Sequence, residues 1–327
     1  MKPALSVIFF TVISGAGLGL LALVAAFDLA GTIVFAPPAW WTLTTATRAA
    51  LGGLVLTVAG FGASTLHLAN PRNAWRSFAR FRTSWLSREA VFAATFVVAA
   101  AIYVALLASE SGGPLRIAAA AAVVLFAWTV LVCTAMIYAS LIPIRQWHTR
   151  WTPATYVVLG HWSGAVLLLC IVRGGGFDGR SLRLVAALLG VAALVTKWVY
   201  WRAIADPTDA VTLEQAIGVN RGVGPRAHTA GPSIMQARLL DTGHTHATFL
   251  TDEFGFALAR RRRTLLRALF WMAGIALPLI WIRFGLPSAG GALTAGVACI
   301  VGILAERWLF FAEAKHTVRL YHGDART

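Results

Sequence analysis

The chain has 327 residues, of which 58% are hydrophobic and 13% are charged, and its mean hydropathy is +0.72. Soluble domains are roughly 45–50% apolar and about 25% charged, so this composition excludes an ordinary water-soluble fold. The formal net charge of +15 is concentrated beside apolar segments. The orientation of the protein in the membrane and the attraction of basic residues to anionic lipids explain this charge, so we predict no binding of nucleic acid.

Eight windows of about 20 residues carry almost no charge, which is the length that a helix needs to cross a hydrocarbon core of roughly 30 Å. The first window is longer than the roughly 7–15-residue apolar core of a secretory signal, so we interpret it as a retained span. Barrel strands would alternate apolar and polar residues, and these windows do not. We predict an all-α integral membrane protein with a bundle of eight transmembrane helices, approximately Ala4–Phe27, Ala49–His67, Arg88–Ala108, Ile117–Leu141, Ala154–Val172, Leu182–Trp201, Leu265–Phe284 and Gly291–Phe311.

Basic residues favour one side of this topology. Lys and Arg accumulate near both chain ends and in the second, fourth and sixth loops, whereas the loops on the other side contain only Arg48, Arg116, Arg173, Arg180, Arg183 and Arg283. Since basic loops stay cytoplasmic, we expect both termini of this multi-pass membrane protein in the cytoplasm. The whole chain, 1–327, is predicted to be a single membrane domain with a long, irregular cytoplasmic loop at about 202–263.

Three glycines in the first span, Gly15, Gly17 and Gly19, leave a surface on which another helix can pack closely.

The segment after the second span contains the most informative residues. His67 ends that span, and Asn70-Pro71 is typical of a helix start, with a capping side chain followed by proline. We therefore predict a short interfacial helix after span two, carrying arginines at every fourth position. Ser87 is expected to cap the third span and to place Glu89 in its first turn, at the same membrane depth as His67.

This pairing suits the oxidation of a quinol, which releases two electrons and two protons. A neutral histidine with a pKa of about 6.5 can accept a proton, and a nearby carboxylate can carry it onward. The alternative is that His67 is an ordinary interfacial residue and that Glu89 only favours the positive end of a helix dipole.

The positions of the cysteines and histidines limit which redox cofactors this protein can bind. The three cysteines, Cys133, Cys170 and Cys299, lie in separate spans without the grouping that an iron–sulfur cluster or covalent haem requires. Metal redox chemistry is therefore expected on another polypeptide, and we predict no metal site here. A haem b between His67 and His161 stays an alternative, although the two lie at different predicted depths.

Charged residues inside the last spans have two interpretations. We expect Lys197 to snorkel towards the interface. Glu306 and Arg307 are consistent either with an internal ion pair or with a proton route.

Four separated regions of the sequence resemble the membrane-anchor subunits of the dimethyl sulfoxide reductase type. The most specific is LHLANPRNAWRSFARFRTSWLSRE, with a histidine-leucine-alanine-x-proline segment that leads through a basic stretch to leucine-serine-x-glutamate. The others are IRQWHTRWTP, FLTDEFGFALARRRR and LAERWLFFAEAKH. The long sixth loop departs from shorter members of that family.

The resemblance implies an anchor that binds menaquinol or ubiquinol in anaerobic respiration. Such anchors carry no haem and pass electrons to a four-cluster ferredoxin-like iron–sulfur subunit, which feeds a molybdopterin catalytic subunit. His67 matches the quinol-site histidine of the family, and Glu89 matches its carboxylate. The basic loop between them is then expected to contact the iron–sulfur subunit.

The sequence thus predicts the quinol-binding anchor of a molybdenum and iron–sulfur oxidoreductase, itself either non-catalytic or its quinol-oxidising subunit. His67 is the predicted proton acceptor and Glu89 the relay. The further quinol contacts are Ser64, Arg72, Arg76 and Tyr138, and the predicted docking residues for the partner are Arg80, Arg82, Trp85 and Trp151. The alternatives are a multi-span transporter, which favours repeats and broken helices, and a structural anchor without a quinol site.

Overall fold

A computed structural model describes residues 4–33, 37–66, 71–205, 261–285, 288–317 and 320. Within those ranges, eight helical segments are long and apolar enough to cross a membrane, which confirms the predicted all-α membrane fold. Helix α1 runs through Leu5–Phe9, the π-helical Phe10–Ser14 and Gly15–Ile33, and α7 runs through Arg263–Leu269, the π-helical Phe270–Ala276 and Leu277–Phe284. The other helices are α2 (Leu43–Thr65), α3 (Trp85–Ala108), α4 (Pro114–Ala139), α5 (Trp151–Gly174), α6 (Arg180–Ala205) and α8 (Ala289–Ala312).

Several helices begin earlier than the apolar windows because their first turns are polar. Helix α2 starts at Leu43, and the side chain of Thr42 caps it by accepting a hydrogen bond from the backbone N–H of Thr45 at 3.1 Å. Hydropathy does not detect such a turn, although its capping chemistry favours a helix start.

The third span shows the same effect and corrects one prediction. Its cap is Ser84, whose hydroxyl accepts from the N–H of Ser87 at 3.4 Å, so the predicted cap at Ser87 is wrong. The Ser87 hydroxyl instead accepts from the backbone N–H of Arg80 at 3.2 Å and ties the preceding loop to the helix. Glu89 therefore lies just beyond the first turn of α3.

A short helix does follow α2, but it is a 3₁₀ helix spanning Pro71–Phe78. Its tighter winding, about three residues per turn, leaves Arg72, Trp75 and Arg76 exposed. That it lies in a membrane interface stays a prediction, and its expected cap at Asn70 lies outside the described residues.

The core of the bundle forms where α1 crosses α2 and α5, and glycines allow that approach. A Cβ atom on Gly19 would overlap the carbonyl group of Gly160 in α5, and one on Gly17 would overlap Thr57 and Gly53 in α2. The prediction of a close helix contact is confirmed for these two glycines. A Cβ atom on Gly15 would meet only Leu131, at 4.0 Å.

Two sets of charged groups inside the bundle are paired. Lys197 is 1% exposed and its Nζ lies 2.6 Å from Glu306 Oε1, so the prediction that it snorkels is wrong. Arg307 Nη2 lies 3.6 Å from Glu306 Oε2, which confirms that an internal ion pair is present. Near the other end of the bundle, Asp28 is buried 3.3 Å from Arg116 Nε and accepts a hydrogen bond from Tyr103 at 3.2 Å.

The helix crossing at Gly19 makes a prediction about stability. Gly19→Ala should lower the stability of the purified protein by about 1–3 kcal/mol, because the new methyl group meets backbone that cannot move aside. Gly52→Ala is the matched control, since nothing lies within 4 Å of a Cβ at Gly52. Thermal unfolding in detergent measures both, and equal unfolding temperatures would contradict the predicted crossing.

Candidate functional site

A cavity of about 1090 Å³ lies at the end of the bundle where α2 ends and α3 begins. Its walls are the first turns of α1, the last turns of α2, the 3₁₀ helix, the first half of α3 and the end of α4. We call this end of the bundle the basic face, because the arginines of the 72–88 segment and of the α4–α5 loop belong to it. The other end is the opposite face.

The walls of this cavity are mainly apolar, with polar groups at a few positions. Phe10, Phe61, Phe78, Val97 and Ile137 provide aromatic and aliphatic surface. Binding sites for small organic molecules commonly combine such walls with a few placed polar groups. The cavity is therefore suited to an amphipathic ligand with a long apolar part.

Glu89 is the acidic residue of the wall, and it is 7% exposed. Its Oε1 contacts the hydroxyl of Thr134 in α4, which also lies 3.0 Å from the backbone carbonyl of Val130. A hydroxyl carries one proton and two lone pairs. Thr134 can therefore donate to a charged Glu89, or accept from a protonated Glu89 while it donates to Val130. The site accommodates both protonation states of the carboxyl group.

Tyr138, at the end of α4, presents a phenol to the same cavity. Its ring packs edge-on against Trp147, Phe310 and Phe311 with centroid distances of 5.2–5.7 Å, and it stacks on Tyr156 at 6.0 Å. This aromatic set holds the ring in place, so the hydroxyl group is a fixed hydrogen-bonding group.

The structure brings four of the predicted quinol contacts together. Ser64, Arg76, Glu89 and Tyr138 all line this cavity, although α2, α3, α4 and the 3₁₀ helix contribute them separately. Arg72 is exposed on the 3₁₀ helix and is not part of the wall. His67 lies outside the described residues, so its predicted role stays a prediction.

The predicted docking residues differ in how exposed they are. Arg80 lines the cavity and, like Arg82, is exposed on the basic face. Trp85 is half-buried beneath the guanidinium of Arg88, which lies 4.3 Å from its ring centroid. Trp151, at the start of α5, is also half-buried, and Arg150 lies 5.4 Å from its ring. The arginines are therefore the accessible part of this set.

Thr134 is the residue of the site that the sequence did not reveal. It is a single threonine within an apolar span, 45 residues from Glu89 in the chain. Serine and threonine within spans commonly bond to their own helix, so only the packing of α4 on α3 distinguishes this one.

The buried His161 forms a local hydrogen bond. Its Nδ1 lies 2.8 Å from the carbonyl oxygen of Val157, so that nitrogen carries the proton, and its ring lies edge-on to Trp128. Among the described residues, no group of three His, Cys, Asp or Glu side chains is arranged to hold a metal ion.

Comparison with known proteins gives one family and two relatives. The family model described as DMSO reductase anchor subunit (DmsC) matches residues 1–312. The sulfite dehydrogenase C subunit of Allochromatium vinosum is 30% identical over 339 residues, covering 98% of this protein and 99% of the relative. The C chain of the anaerobic dimethyl sulfoxide reductase of Escherichia coli K12 is 28% identical over 147 residues, covering 43% of this protein and 50% of the relative.

The contact between Glu89 and Thr134 predicts a specific loss of stability. Thr134→Val removes a partner of a buried carboxyl group and should cost about 1–3 kcal/mol. Thr129→Val is the matched control, because the Thr129 hydroxyl lies in the same helix and donates only to the Leu125 carbonyl, at 2.8 Å. Thermal unfolding in detergent compares the two variants, and an equal loss in both would show that the carboxyl contact adds no stability.

Proposed function

Because the protein belongs to the DMSO reductase anchor subunit (DmsC) family, we propose that it is the subunit through which a membrane quinol exchanges electrons with an oxidoreductase complex. The observation that supports this most directly is the cavity at the basic face, with an apolar wall and with Glu89 and Tyr138 on it. Membership of an anchor family favours this function over transport, and a cavity with a buried carboxyl group favours it over a purely structural anchor.

A quinol has a ring with two hydroxyl groups and a long apolar tail, and the cavity offers a place for each. The ring would lie near Glu89, Tyr138, Ser64 and Arg76, all of which line the cavity. The tail would lie along the apolar wall between α1, α2 and α3. Menaquinol and ubiquinol both have this chemistry.

Oxidation of the bound quinol releases two protons and two electrons. In our proposal the imidazole of His67 accepts one proton, and the carboxylate of Glu89 accepts a proton from the other hydroxyl group and relays it. Tyr138 donates a hydrogen bond that orients the ring. His67 directly follows Leu66 at the end of α2, three residues after the cavity-lining Ser64.

The electrons leave for metal centres on a partner protein. We propose a four-cluster ferredoxin-like iron–sulfur subunit bound at the basic face, followed by a molybdopterin catalytic subunit. Arg72, Arg76, Arg80 and Arg82 are exposed there beside Trp75, which is 65% exposed. Arginine and tryptophan are enriched in protein interfaces. The basic face would then be the cytoplasmic side of the bacterial inner membrane.

A second direction of electron flow has its own support. The relative that aligns over nearly its whole length is part of a sulfite dehydrogenase, and a dehydrogenase has to deliver electrons to an acceptor. In that direction the same cavity would bind a quinone, which takes up two electrons and two protons and leaves as quinol. Assaying the purified complex with sulfite plus quinone, and with dimethyl sulfoxide plus quinol, distinguishes the two directions.

The proposed role of Glu89 makes a kinetic prediction. Glu89→Gln should lower quinol-dependent turnover of the assembled complex by about 100-fold, because general acid–base catalysis contributes about 10²–10⁴. Glu110→Gln, in the exposed α3–α4 loop of the opposite face, should leave turnover unchanged. Normal turnover in Glu89→Gln, with the complex intact by co-purification, would rule out a role for this carboxyl group.

The proposed docking surface makes a prediction about assembly. Replacing both Arg80 and Arg82 with glutamate should reduce co-purification of the iron–sulfur subunit, and the loss relative to the unmodified protein should shrink as ionic strength rises, since salt screens exposed charges. Arg180→Glu, exposed on the opposite face, is the control. Undiminished co-purification of the double variant in about 0.15 M salt would place the partner elsewhere.

A further inference from the structure

Three charged side chains lie inside the bundle away from the cavity, and the mechanism above does not use them. Lys197 in α6 and Glu306 and Arg307 in α8 are at most 2% exposed. Charged groups at membrane depth are costly and are usually functional. Stabilisation by an ion pair does not by itself explain why three charged residues are buried here, since apolar residues of similar size commonly give equal or greater stability.

Two stacked tyrosines connect this trio to the cavity. Tyr138 lines the cavity and stacks on Tyr156 with a centroid distance of 6.0 Å and an angle of 25° between the rings. The Arg307 guanidinium carbon lies 3.8 Å from the Tyr156 ring centroid. Glu89 lines the same cavity as Tyr138. The order of groups is therefore Glu89, Tyr138, Tyr156, then Glu306 with Arg307.

The trio also leads outward to the basic face through α7 and α8. Lys197 Nζ and the guanidinium carbon of Arg267 lie 4.5 and 4.8 Å from the centroid of the Trp201 ring, and Glu313 follows the end of α8. Arg267 Nη2 lies 2.9 Å from Glu313 Oε1, and the half-exposed Arg263 lies 3.9 Å from the same oxygen. Burial raises the pKa of the Glu313 carboxyl group, against the opposing effect of Arg267, so this residue is suited to bind and release protons.

Several polar atoms along this line have no hydrogen-bond partner among the described residues. They are the hydroxyl of Tyr156, Oε2 of Glu306 and Nε and Nη1 of Arg307, with Nε of Arg267 and Oε2 of Glu313 further out. Buried groups of this kind are those that ordered water molecules usually bind. The orphaned atoms therefore mark positions where water can join the side chains into a continuous hydrogen-bonded chain.

We propose that these groups form a proton path from the cavity to Glu313, and this path rests on the proposed function. A quinol hydroxyl loses its proton to Glu89 while its electrons go to the iron–sulfur subunit. The proton then passes by the hydroxyl groups of Tyr138 and Tyr156 to Glu306, from there by Lys197 to Glu313, and into water. Arg307 stays protonated and holds Glu306. When quinone is reduced, the same protons move inward.

The path gives protons an exit away from the arginines that are proposed to dock the partner. Those arginines follow α2, whereas Glu313 is held by arginines of α7. A quinol site sealed by an iron–sulfur subunit still has to release two protons per quinol, and a route through α6 and α8 avoids the sealed interface.

The double variant with Lys197→Gln and Glu306→Gln tests the path in the assembled complex. It removes one positive and one negative charge, so the net charge of the trio is unchanged. We expect proton release and quinol-dependent turnover to slow by about tenfold or more with a larger solvent deuterium isotope effect. Binding of a quinone-analogue inhibitor should remain as in the unmodified complex.

The matched control replaces Asp28 with asparagine and Arg116 with glutamine. Asp28 is also buried and accepts a hydrogen bond from Tyr103, while the Arg116 side chain is 18% exposed, and the pair lies towards the opposite face. We expect its proton release, measured by stopped-flow with a pH indicator, to match the unmodified complex. Equal slowing in the control would show that losing any buried ion pair has this effect, and would overturn the path.

The remaining outcomes are also decisive. Normal proton release and isotope effect in the Lys197 and Glu306 double variant would overturn the path. If that variant does not assemble, Tyr156→Phe decides instead, because it keeps the ring and removes only the hydroxyl group. Slowing supports the path and a normal rate overturns it. An unmodified complex that neither oxidises quinol nor reduces quinone would overturn the proposed function itself, a result distinct from loss of the path alone.

Discussion

A polar or charged group inside a hydrocarbon layer has to be paired by another part of the same protein, and this constraint explains most of the internal architecture of the bundle. Glu89 contacts Thr134 across two helices, Lys197 contacts Glu306, and Asp28 contacts Arg116. Each contact joins residues far apart in the sequence. Because an unpaired group would be costly, these contacts fix which faces of the helices meet.

The bundle is closely packed in its middle and contains a cavity towards the basic face. Glycines bring α1 into contact with α2 and α5 in the middle of the bundle. Towards the basic face, α2 ends and the 3₁₀ helix begins, so α1, α2, α3 and α4 surround a cavity there. The chemistry of this cavity comes from a buried carboxyl group, a phenol and exposed arginines at its edge. An amphipathic redox carrier matches that combination, and the family of the protein agrees with it.

The sequence predicted what depends on local composition and missed what depends on packing. The eight spans follow from hydropathy, and Glu89 follows from its predicted depth beside His67 and from the resemblance to the anchor family. Thr134 had no local signal, and the pairing of Lys197 with Glu306 had none either, since each contact depends on a residue from a distant helix. The helix start at Ser84 was missed for another reason: Ser84 and Ser87 are both capping residue types, and only the backbone conformation distinguishes them.

The central claim is that a quinone occupies the cavity beside Glu89. Labelling the assembled complex with a photoreactive quinone, followed by peptide mapping, tests it most directly. Our account predicts labels on peptides from the start of α3 and the end of α4, which include Glu89 and Tyr138, and loss of these labels when excess quinone competes. Competable labels confined to the groove of the opposite face, lined by Trp40 and Phe177, would contradict it.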